Sequence, residues 1–391
     1  MEDVVIVGGG PAGLACAWRL SQGGLNPLVL EAASFPRDKV CGDALSGKVV
    51  AVLRRLGGDQ LIQQMANEPF VHRVKALVFI NDRDHRVHLS IPPCEMGFTA
   101  PRHAWDAWLW QAAPASIRLR SHTPLLRIEC TQNCWILHLP RGEKLQARYL
   151  IGADGVASKV RPWVYAYRRK RRPPVYPAVR TYAEYDVPHG ELQLHYVPPY
   201  LPGYWWAFSM AGGLTNIGMG GPPSVARRIS FRSVLRRLLD TESMDTIAGH
   251  GIPLYRPGVP LTAPGCALIG DAGHLVDPFT GEGIGNALLS GYRLAEAILK
   301  SQPSHLFTWD ARNAYEKPLH QELKTEMRVS LWLHSLSRWP FIVRWLIRQL
   351  SYQPHLQQTL QRMLFHPEER LKLYSPKFYW QILGFQAQMP P

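Results

Sequence analysis

Three glycines near the start of the chain constrain its fold more than any other feature. Gly8, Gly10 and Gly13 follow the apolar stretch DVVIV and open a stretch with helical periodicity, PAGLACAWRLSQGG. Glu31 closes the next apolar stretch, 23 residues after Gly8. Glycines at this spacing allow a tight turn, close approach of a pyrophosphate and contact between helix and sheet, and the acid can bind ribose hydroxyls. The sequence therefore predicts a Rossmann-like dinucleotide site formed by these four residues.

The cysteines do not point to a metal centre or to a disulfide framework. The chain of 391 residues has six cysteines, without a Cys-x-x-Cys pair and without histidines at zinc-finger spacing. Such a pattern favours free thiols in a reducing compartment. We therefore predict no metal site and a cytoplasmic location. We also predict no signal peptide, since the chain begins directly on the first apolar strand, and no membrane span, since no run of about 18 uncharged apolar residues occurs.

Two later segments extend the predicted nucleotide site. GADGVASKVR (152–161) places Asp154 at a strand end, and IGDAGHLVDPFTGEGIGNAL (269–288) places Asp271 at another strand end before a glycine-rich helix start. With the first glycine motif, these segments resemble the flavoprotein monooxygenase superfamily, whose members bind FAD. The resemblance implies that Asp154 belongs to the FAD site and that Asp271 holds the ribityl or ribose region. It further implies that a loop runs beside the isoalloxazine ring, with these cofactor-binding residues: Pro278, Gly281, Gly283 and Gly285.

A narrower resemblance rests on two other groups of residues. The first lies in FPRDKVCGDALSG (35–47) and consists of Pro36, Lys39, Cys41, Gly42 and Leu45. The second consists of alternating aromatic residues and a glycine pair: Tyr204, Trp206, Phe208, Gly218 and Gly220. Both groups resemble the geranylgeranyl reductase family, although Ser209 stands where that family usually has proline. The segment PRHAWDAWL (101–109) also resembles the family, which implies that Arg102 approaches the flavin.

The family resemblance implies saturation of isoprenoid double bonds, with reduced FAD as the hydride source. Such an alkene needs a proton at its second carbon in a dry, apolar cavity. Tyr204, Trp206 and Phe208 would share one face of a strand and line that cavity, or alternatively form ordinary core packing. Cys41 would either donate the proton or offer a small surface beside flavin or substrate. Gly42 would then permit close approach of the backbone.

The predicted roles follow from these resemblances. The predicted catalytic residues are Cys41, Tyr204, Trp206 and His274. The predicted cavity residues are Gly42, Phe208, Gly218 and Gly220. His274 and Asp277 would handle protons or only stabilise their loop. The predicted cofactor is FAD, with NADPH or ferredoxin as the electron source.

Two other functions remain open at this point. The same fold serves flavin monooxygenases and halogenases that act on aromatic or polyketide-like substrates. YWWAFSM resembles, without matching, the tryptophan-x-tryptophan-x-isoleucine-proline pattern of the halogenases. A third hypothesis is a membrane-bound flavin-binding module without enzymatic activity.

The positive charge suggests partners of three kinds. The formal net charge is +14, with the densest basic run at 168–172. This charge suits nucleic acid, an anionic membrane surface or an acidic protein, and nucleic acid is disfavoured because no nucleic-acid-binding motif accompanies the run. Residues 328–350 combine tryptophans and arginines at helical spacing, which is typical either of an interfacial helix or of a helix packed on the substrate domain. We therefore expect an apolar or lipid substrate, an acidic electron carrier and peripheral attachment to the inner face of the membrane.

The predicted fold class is α/β. A Rossmann-like FAD-binding domain of the para-hydroxybenzoate hydroxylase type is expected from three separate segments, 1–69, 100–165 and 262–300. An antiparallel β-sheet substrate domain is expected at 70–99 and 166–261. A C-terminal helical region is expected at 301–391.

Overall fold

The structure, a computed structural model, describes residues 1–92, 97–240, 247–302 and 304–365. Cys94 and the last part of the predicted helical region, 366–391, lie outside these residues. None of the described helices is long and apolar enough to cross a membrane.

The described residues form the following strands in chain order: β1 (Glu2–Val7), β2 (Leu28–Leu30), β3 (Ala44–Leu45), β4 (His72–Arg73), β5 (Ala76–Asn81), β6 (Arg86–Ser90), β7 (Phe98–Thr99), β8 (Arg118–Arg120), β9 (Arg127–Cys130), β10 (Trp135–His138), β11 (Lys144–Gly152), β12 (Tyr176–Ala183), β13 (Glu191–Tyr196), β14 (Tyr204–Ser209), β15 (Thr215–Gly220), β16 (Ala248–Ile252), β17 (Thr262–Ala263) and β18 (Cys266–Leu268). The α-helices are α1 (Pro11–Gln22), α2 (Gly47–Ala66), α3 (Arg102–Ala112), α4 (Arg161–Tyr167), α5 (Pro223–Ala226), α6 (Phe231–Leu239), α7 (Ile284–Ser301), α8 (Lys317–Leu336), α9 (Pro340–Ser351) and α10 (Pro354–Phe365).

The first sheet carries the glycine turn. Its strand order is β17-β18-β11-β1-β2-β8, with β10 beside β11 and β9 beside β10. Strand β1 lies between β11 and β2 and is parallel to both. Four consecutive apolar residues of β1, 4–7, are buried, as expected for a central parallel strand covered on both faces. Helices α1 and α7 pack against each other over this sheet.

The second sheet provides a wall for a cavity. Its order is β16-β12-β15-β14-β13-β5-β6, antiparallel except for the β13–β5 pair. Side chains alternate between its faces. Trp205 and Ala207 pack with α6 on one face. Trp206 and Phe208 lie on the other face, in a cluster with residues of α8, α9 and α10.

A small third sheet, β3-β7-β4, follows the loop that carries Cys41. The Thr99 hydroxyl of this sheet donates to the Ser209 carbonyl of β14 over 2.8 Å. The mixed α/β fold, with the first sheet, the largely antiparallel second sheet and the C-terminal helices, confirms the predicted fold class.

Candidate active site

The glycine turn opens one end of a large cavity. Gly8 has a φ of +111°, and a Cβ there would lie 2.3 Å from the Ala153 carbonyl oxygen. A Cβ on Gly13 would lie 2.0 Å from the Gly8 carbonyl oxygen, so α1 packs closely on the turn. Beside Gly10, by contrast, the nearest atom to such a Cβ is 3.5 Å away, on Arg37. The start of α1 has no side-chain cap and lines the cavity, which is the arrangement that binds a pyrophosphate.

Glu31 is held at the end of β2 by the turn itself. Its carboxylate accepts from the Gly9 N–H over 2.9 Å and from the Ala33 N–H over 3.1 Å. Arg37 lies 3.4 Å from Glu31 and 3.1 Å from Asp106. Glu31 thus lines the cavity as a fixed acceptor at the nucleotide end.

Asp106 connects this end to Arg102. The buried Arg102 guanidinium donates from Nε to Asp106 Oδ1 over 2.6 Å and from Nη2 to Oδ2 over 2.8 Å. Two parallel bonds of this kind fix the plane of the guanidinium. Arg102 therefore presents a permanent positive charge to the cavity wall.

Two aspartates from later strand ends face the same cavity. Asp154 Oδ2 accepts from the Lys159 N–H over 2.7 Å, while its buried Oδ1 has no hydrogen-bond partner among the described residues. Asp271 Oδ2 accepts from Lys39 Nζ over 2.7 Å. Burial opposes ionisation of Asp271, but the Lys39 ammonium outweighs it and lowers the pKa of that carboxyl. Both carboxyl groups are placed to accept ligand hydroxyls.

The glycine-rich loop after Asp271 is tied to both neighbouring layers. Buried Asp277 Oδ1 accepts from the N–H groups of Phe279 and Thr280, each over 2.8 Å. Its Oδ2 accepts from the Ser330 hydroxyl of α8 over 2.5 Å. From the second sheet, the Tyr204 hydroxyl donates to the Thr280 carbonyl over 2.6 Å. The hydrogen bonds of Asp277 are those of a loop-stabilising residue.

The Cys41 loop is held by a network of hydrogen bonds that sequence reasoning missed. Asn216 Nδ2 donates to the Cys41 carbonyl over 2.9 Å and to Asp43 Oδ2 over 2.8 Å. Asn216 Oδ1 in turn accepts from the Trp206 indole over 2.9 Å. The Tyr182 hydroxyl donates to the same Asp43 oxygen. The only local signal for this network was an acid directly after Cys41-Gly42.

The thiol itself is half-buried at the cavity wall. Burial raises the pKa of Cys41; Arg102 opposes this rise, and Asp43 adds to it. The nearby ammonium of Lys39, directed to Asp271, has a smaller lowering effect. Cys41 is therefore a neutral thiol at neutral pH.

The aromatic residues of β14 form one continuous wall. Ring centroids of Tyr204 and Trp206 lie 6.3 Å apart, as do those of Trp206 and Phe208. Gly218 lies opposite Trp206 on β15, and a Cβ there would lie 2.0 Å from the indole. The absence of a side chain at Gly218 thus leaves the space that the Trp206 ring fills.

The cavity has a volume of about 1480 Å³, above the usual range of about 300–1,000 Å³ for small-molecule sites. Beyond the loop after Asp271 it continues between the second sheet and the C-terminal helices. Apolar side chains from both layers line this chamber: Leu77, Phe79, Val87, Leu89, Leu194, Val329, Leu333, Ile342 and Leu346. The space therefore suits a dinucleotide at one end and a long apolar molecule at the other.

A charged cluster closes the wall between α2, α7 and α8. Lys48 Nζ donates to the Glu326 carboxylate over 2.9 and 3.0 Å and to Asn286 Oδ1 over 2.6 Å. Ser46 donates to Glu282. Burial raises the pKa of Glu282, against the opposing charge of Lys48. The sequence offered no signal for this contact between distant segments.

The structure brings most of the predicted site residues to one cavity. The residues that line it are Gly8, Gly10, Glu31, Cys41, Gly42, Arg102, Asp154, Tyr204, Trp206, Phe208, Asp271, Gly281 and Gly283. Predicted residues that do not line it are Gly13, Gly218, Gly220, His274, Pro278 and Gly285. His274 is fully buried, and burial lowers its pKa to about 4. It is therefore a neutral side chain away from the cavity surface.

These residues fit FAD. The open space at Gly10, the uncapped start of α1 and the unpartnered Asp154 oxygen suit the pyrophosphate and hydroxyl groups of a dinucleotide. Glu31 and Asp271 supply further acceptors along the same cavity.

Comparisons with known proteins agree with this fit. A family model described as an FAD binding domain matches residues 1–178. The chain is 32% identical to menaquinone reductase of Mycobacterium tuberculosis over 325 residues, or 77% of each chain. It is 27% identical to digeranylgeranylglycerophospholipid reductase 2 of Methanococcoides burtonii over 349 residues, covering 84% of this chain and 82% of that one.

Solved structures show the same fold. A geranylgeranyl bacteriochlorophyll reductase-like protein from Thermoplasma acidophilum has a TM-score of 0.77 at 22% identity, covering 95% of this chain and 98% of that one. A flavin-dependent brominase has a TM-score of 0.71 at 18% identity, covering 93% of each chain.

The fold and site thus define an FAD-dependent oxidoreductase of the flavoprotein monooxygenase superfamily. Within that superfamily, the chain belongs to the geranylgeranyl reductase family.

Proposed function

We propose that this protein saturates carbon–carbon double bonds in the isoprenoid chain of a lipid. The observation that carries the proposal is the apolar chamber, which continues from the FAD end of the cavity between the second sheet and helices α8–α10. The two relatives named above are called reductases of menaquinone and of digeranylgeranylglycerophospholipid. Both compounds carry isoprenoid chains, and a chamber of this kind suits such a chain.

The chain's own residues supply orientation and exclude water. Trp206 and Phe208 are buried side chains of the paired strand β14, and Asn216 Oδ1 accepts from the indole Nε1–H and so fixes the ring. An isolated alkene has no polar atom that could form a hydrogen bond with the protein. Its position in the cavity therefore depends on the shape of the cavity and on apolar contacts. A bound prenyl segment would lie against this aromatic wall, and the apolar walls of the chamber would exclude water from it.

Reduced FAD supplies a hydride when bound, and the second carbon of the alkene requires a proton. Cys41 lines the cavity as a neutral thiol and can donate that proton. The Tyr204 hydroxyl already donates to Thr280, and His274 does not line the cavity. We therefore assign the proton donor to Cys41 and a wall-forming role to Tyr204.

The reductant of the flavin is NADPH or ferredoxin. Within the basic run, Arg168 pairs with Glu316 and Arg172 donates to the Val156 carbonyl. The three basic residues between them are exposed to solvent: Arg169, Lys170 and Arg171. Their exposed positive charge favours an acidic protein as the electron carrier. Anaerobic reduction of the flavin with each donor in turn distinguishes them, because only the physiological donor should reduce it rapidly, and a rate with ferredoxin that falls at high salt would support electrostatic docking of an acidic carrier.

Product mass tests the proposed reaction. Purified flavin-loaded protein is incubated under dithionite reduction with a polyprenyl lipid, and the lipid is analysed by mass spectrometry. We expect a gain of H₂ per reduced bond, and loss of this product in Cys41→Ala with flavin content retained. No gain of H₂ under dithionite, together with oxygen or halogen added to the lipid in a parallel incubation of pre-reduced protein with lipid, oxygen and halide, would overturn the proposal and favour the monooxygenase or halogenase alternative.

A further inference from the structure

The ends of helix α9 expose large aromatic side chains. Trp339 and Phe341, at its start, are 57% and 66% exposed, and their rings lie 6.2 Å apart. Tyr352, just after its end, is 67% exposed. Large aromatic side chains that are this exposed and this close together are characteristic of a surface that binds a protein or a membrane. We call Arg338, Trp339, Phe341 and Arg348 the docking face.

Charge at this face is positive. Arg338 and Arg348 are exposed and have no carboxylate partner within 4 Å among the described residues. Arg344, on the same helix, is different, since it forms a bidentate pair with Asp82 of the β5–β6 turn. That pair attaches α9 to the second sheet and leaves the arginines of the docking face available to anions.

The other side of α9 faces the substrate chamber. Val343 and Ile347 are buried against the second sheet. Ile342 and Leu346 line the cavity. One helix of 12 residues, about 18 Å long, therefore separates the chamber from the exposed aromatic pair.

We propose that the docking face binds an anionic lipid bilayer. Trp339 and Phe341 insert at the boundary of headgroups and acyl chains, while Arg338 and Arg348 contact anionic headgroups. Aromatic insertion and basic attraction are two separate signals, and together they give stable but reversible attachment. Binding at this face would bring a membrane lipid directly beside the chamber, and this consequence rests on the proposed function. The membrane binding itself does not depend on the proposed function.

Vesicle sedimentation tests this binding with full-length, flavin-loaded protein. The probes are vesicles of phosphatidylcholine alone and vesicles that also contain phosphatidylglycerol. We expect binding to the anionic vesicles, weakened by salt, and about tenfold weaker binding for Trp339→Ser/Phe341→Ser. The matched control is Leu126→Ser/Tyr167→Ser, which removes side chains that are 52% and 55% exposed elsewhere and should bind like wild type.

Flavin content and thermal unfolding establish that each variant is folded. The proposal is overturned if wild-type protein binds neither vesicle, if the docking-face variant binds like wild type, or if the control variant loses binding equally. It is also overturned if the exposed aromatic pair instead mediates self-association, seen as a dimer that only the docking-face variant loses.

A second readout separates this proposal from the proposed function. With a polyprenyl substrate in detergent micelles, the docking-face variant should turn over at the wild-type rate, but with vesicle-borne substrate its rate should fall about tenfold. If neither protein reduces the lipid in micelles while vesicle binding still depends on Trp339 and Phe341, the proposed function fails and the docking face stands.

Discussion

A single buried carboxyl group, that of Asp43, organises the loop that carries Cys41. The residue is fully buried, adopts a φ of +63° and accepts hydrogen bonds from Tyr182 and Asn216 on the same oxygen. Its other oxygen, Oδ1, has no partner among the described residues. Burial raises the pKa of Asp43 to about 6, although Tyr182 and Arg180 oppose the rise.

This raised pKa makes the stability of the protein depend on pH. The folded protein binds the Asp43 proton more tightly than the unfolded chain, whose aspartate has a pKa near 3.8. The stabilising contribution is therefore complete below about pH 4 and is lost as the pH rises through about 6. The loss amounts to about 3 kcal/mol. Asp43→Asn should reduce this loss, as measured by denaturant unfolding of flavin-loaded protein between pH 4 and 7.

Asp84→Asn is the matched control for that experiment. Asp84 also has a positive φ, of +57°, but its side chain is 71% exposed and pairs with Arg86. Its replacement should leave the pH dependence of unfolding unchanged. If Asp43→Asn and Asp84→Asn both show the same pH dependence of the free energy of unfolding as wild type, Asp43 does not have the raised pKa assigned to it.

The Tyr204 hydroxyl gives a second prediction for a single group. Tyr204→Phe removes the hydrogen bond to Thr280 and with it a direct tie between β14 and the glycine-rich loop. We expect FAD to bind about fivefold more weakly, which corresponds to about 1 kcal/mol for one hydrogen bond. Tyr196→Phe is the control, since the buried Tyr196 hydroxyl has no partner among the described residues. Equal FAD dissociation constants for both variants, measured by flavin fluorescence, would contradict this role.

Pairing of β14 with β15 sets the shape of the aromatic wall. Trp206 lies opposite Gly218, and Tyr204 lies opposite Gly220. A Cβ at Gly218 would lie 2.0 Å from the indole, whereas at Gly220 its nearest neighbour would be 3.4 Å away. The two glycines therefore differ in what a methyl group would displace.

Gly218→Ala should displace the Trp206 ring into the cavity. We expect a loss of at least about tenfold in alkene reduction with FAD still bound, because the displaced ring occupies the space of the substrate. Gly220→Ala should remain within about twofold of wild type, since the contact at this position is near normal van der Waals distance. Steady-state rates with a polyprenyl lipid compare the two, and equal losses would show that Trp206 does not shape the site.

Local pattern in the sequence was sufficient for much of the FAD-binding part of the fold. The turn at Gly8 and the strand ends at Asp154 and Asp271 follow from apolar periodicity and from backbone conformations that favour glycine. The same rules predicted the alternation of Tyr204 and Trp206 along β14. These features depend on residues that are neighbours in the chain.

Contacts between distant segments could not be predicted in the same way. Asn216 reaches the Cys41 loop from 175 residues away, and Lys48 reaches Glu326 from 278 residues away. The sequence around a polar residue in a strand or helix does not indicate such a distant partner, because the contact is created by the packing of whole elements. His274 shows the converse, since its position in a functional motif did not place its ring in the cavity.

For the molecule as a whole, Lys48 joins the FAD-binding part to the C-terminal helices. It lies on α2 and contacts Asn286 of α7 and Glu326 of α8, with side-chain exposures of 21% for Lys48 and 10% for Glu326. Lys48→Met would remove the buried ammonium that pairs with Glu326 and that opposes the raised pKa of Glu282. We expect a loss of about 3 kcal/mol at neutral pH, in denaturant unfolding.

The loss should diminish in acid, because protonated carboxyl groups no longer need a counter-charge. Arg54→Met is the control: it breaks the exposed Arg54–Asp59 pair, which is worth at most about 1 kcal/mol. A Lys48→Met protein as stable as Arg54→Met would contradict the bridging role of Lys48.

The central claim, reduction of an isoprenoid alkene, is tested most directly by the fate of the reduced flavin. The flavin-loaded protein is reduced anaerobically and mixed separately with a polyprenyl lipid and with oxygen, while the visible absorption of oxidised flavin is followed. We predict that the lipid alone reoxidises the flavin, in equal amount to the saturated bonds formed. Reoxidation by oxygen alone, with no reoxidation by the lipid in the absence of oxygen, would contradict alkene reduction.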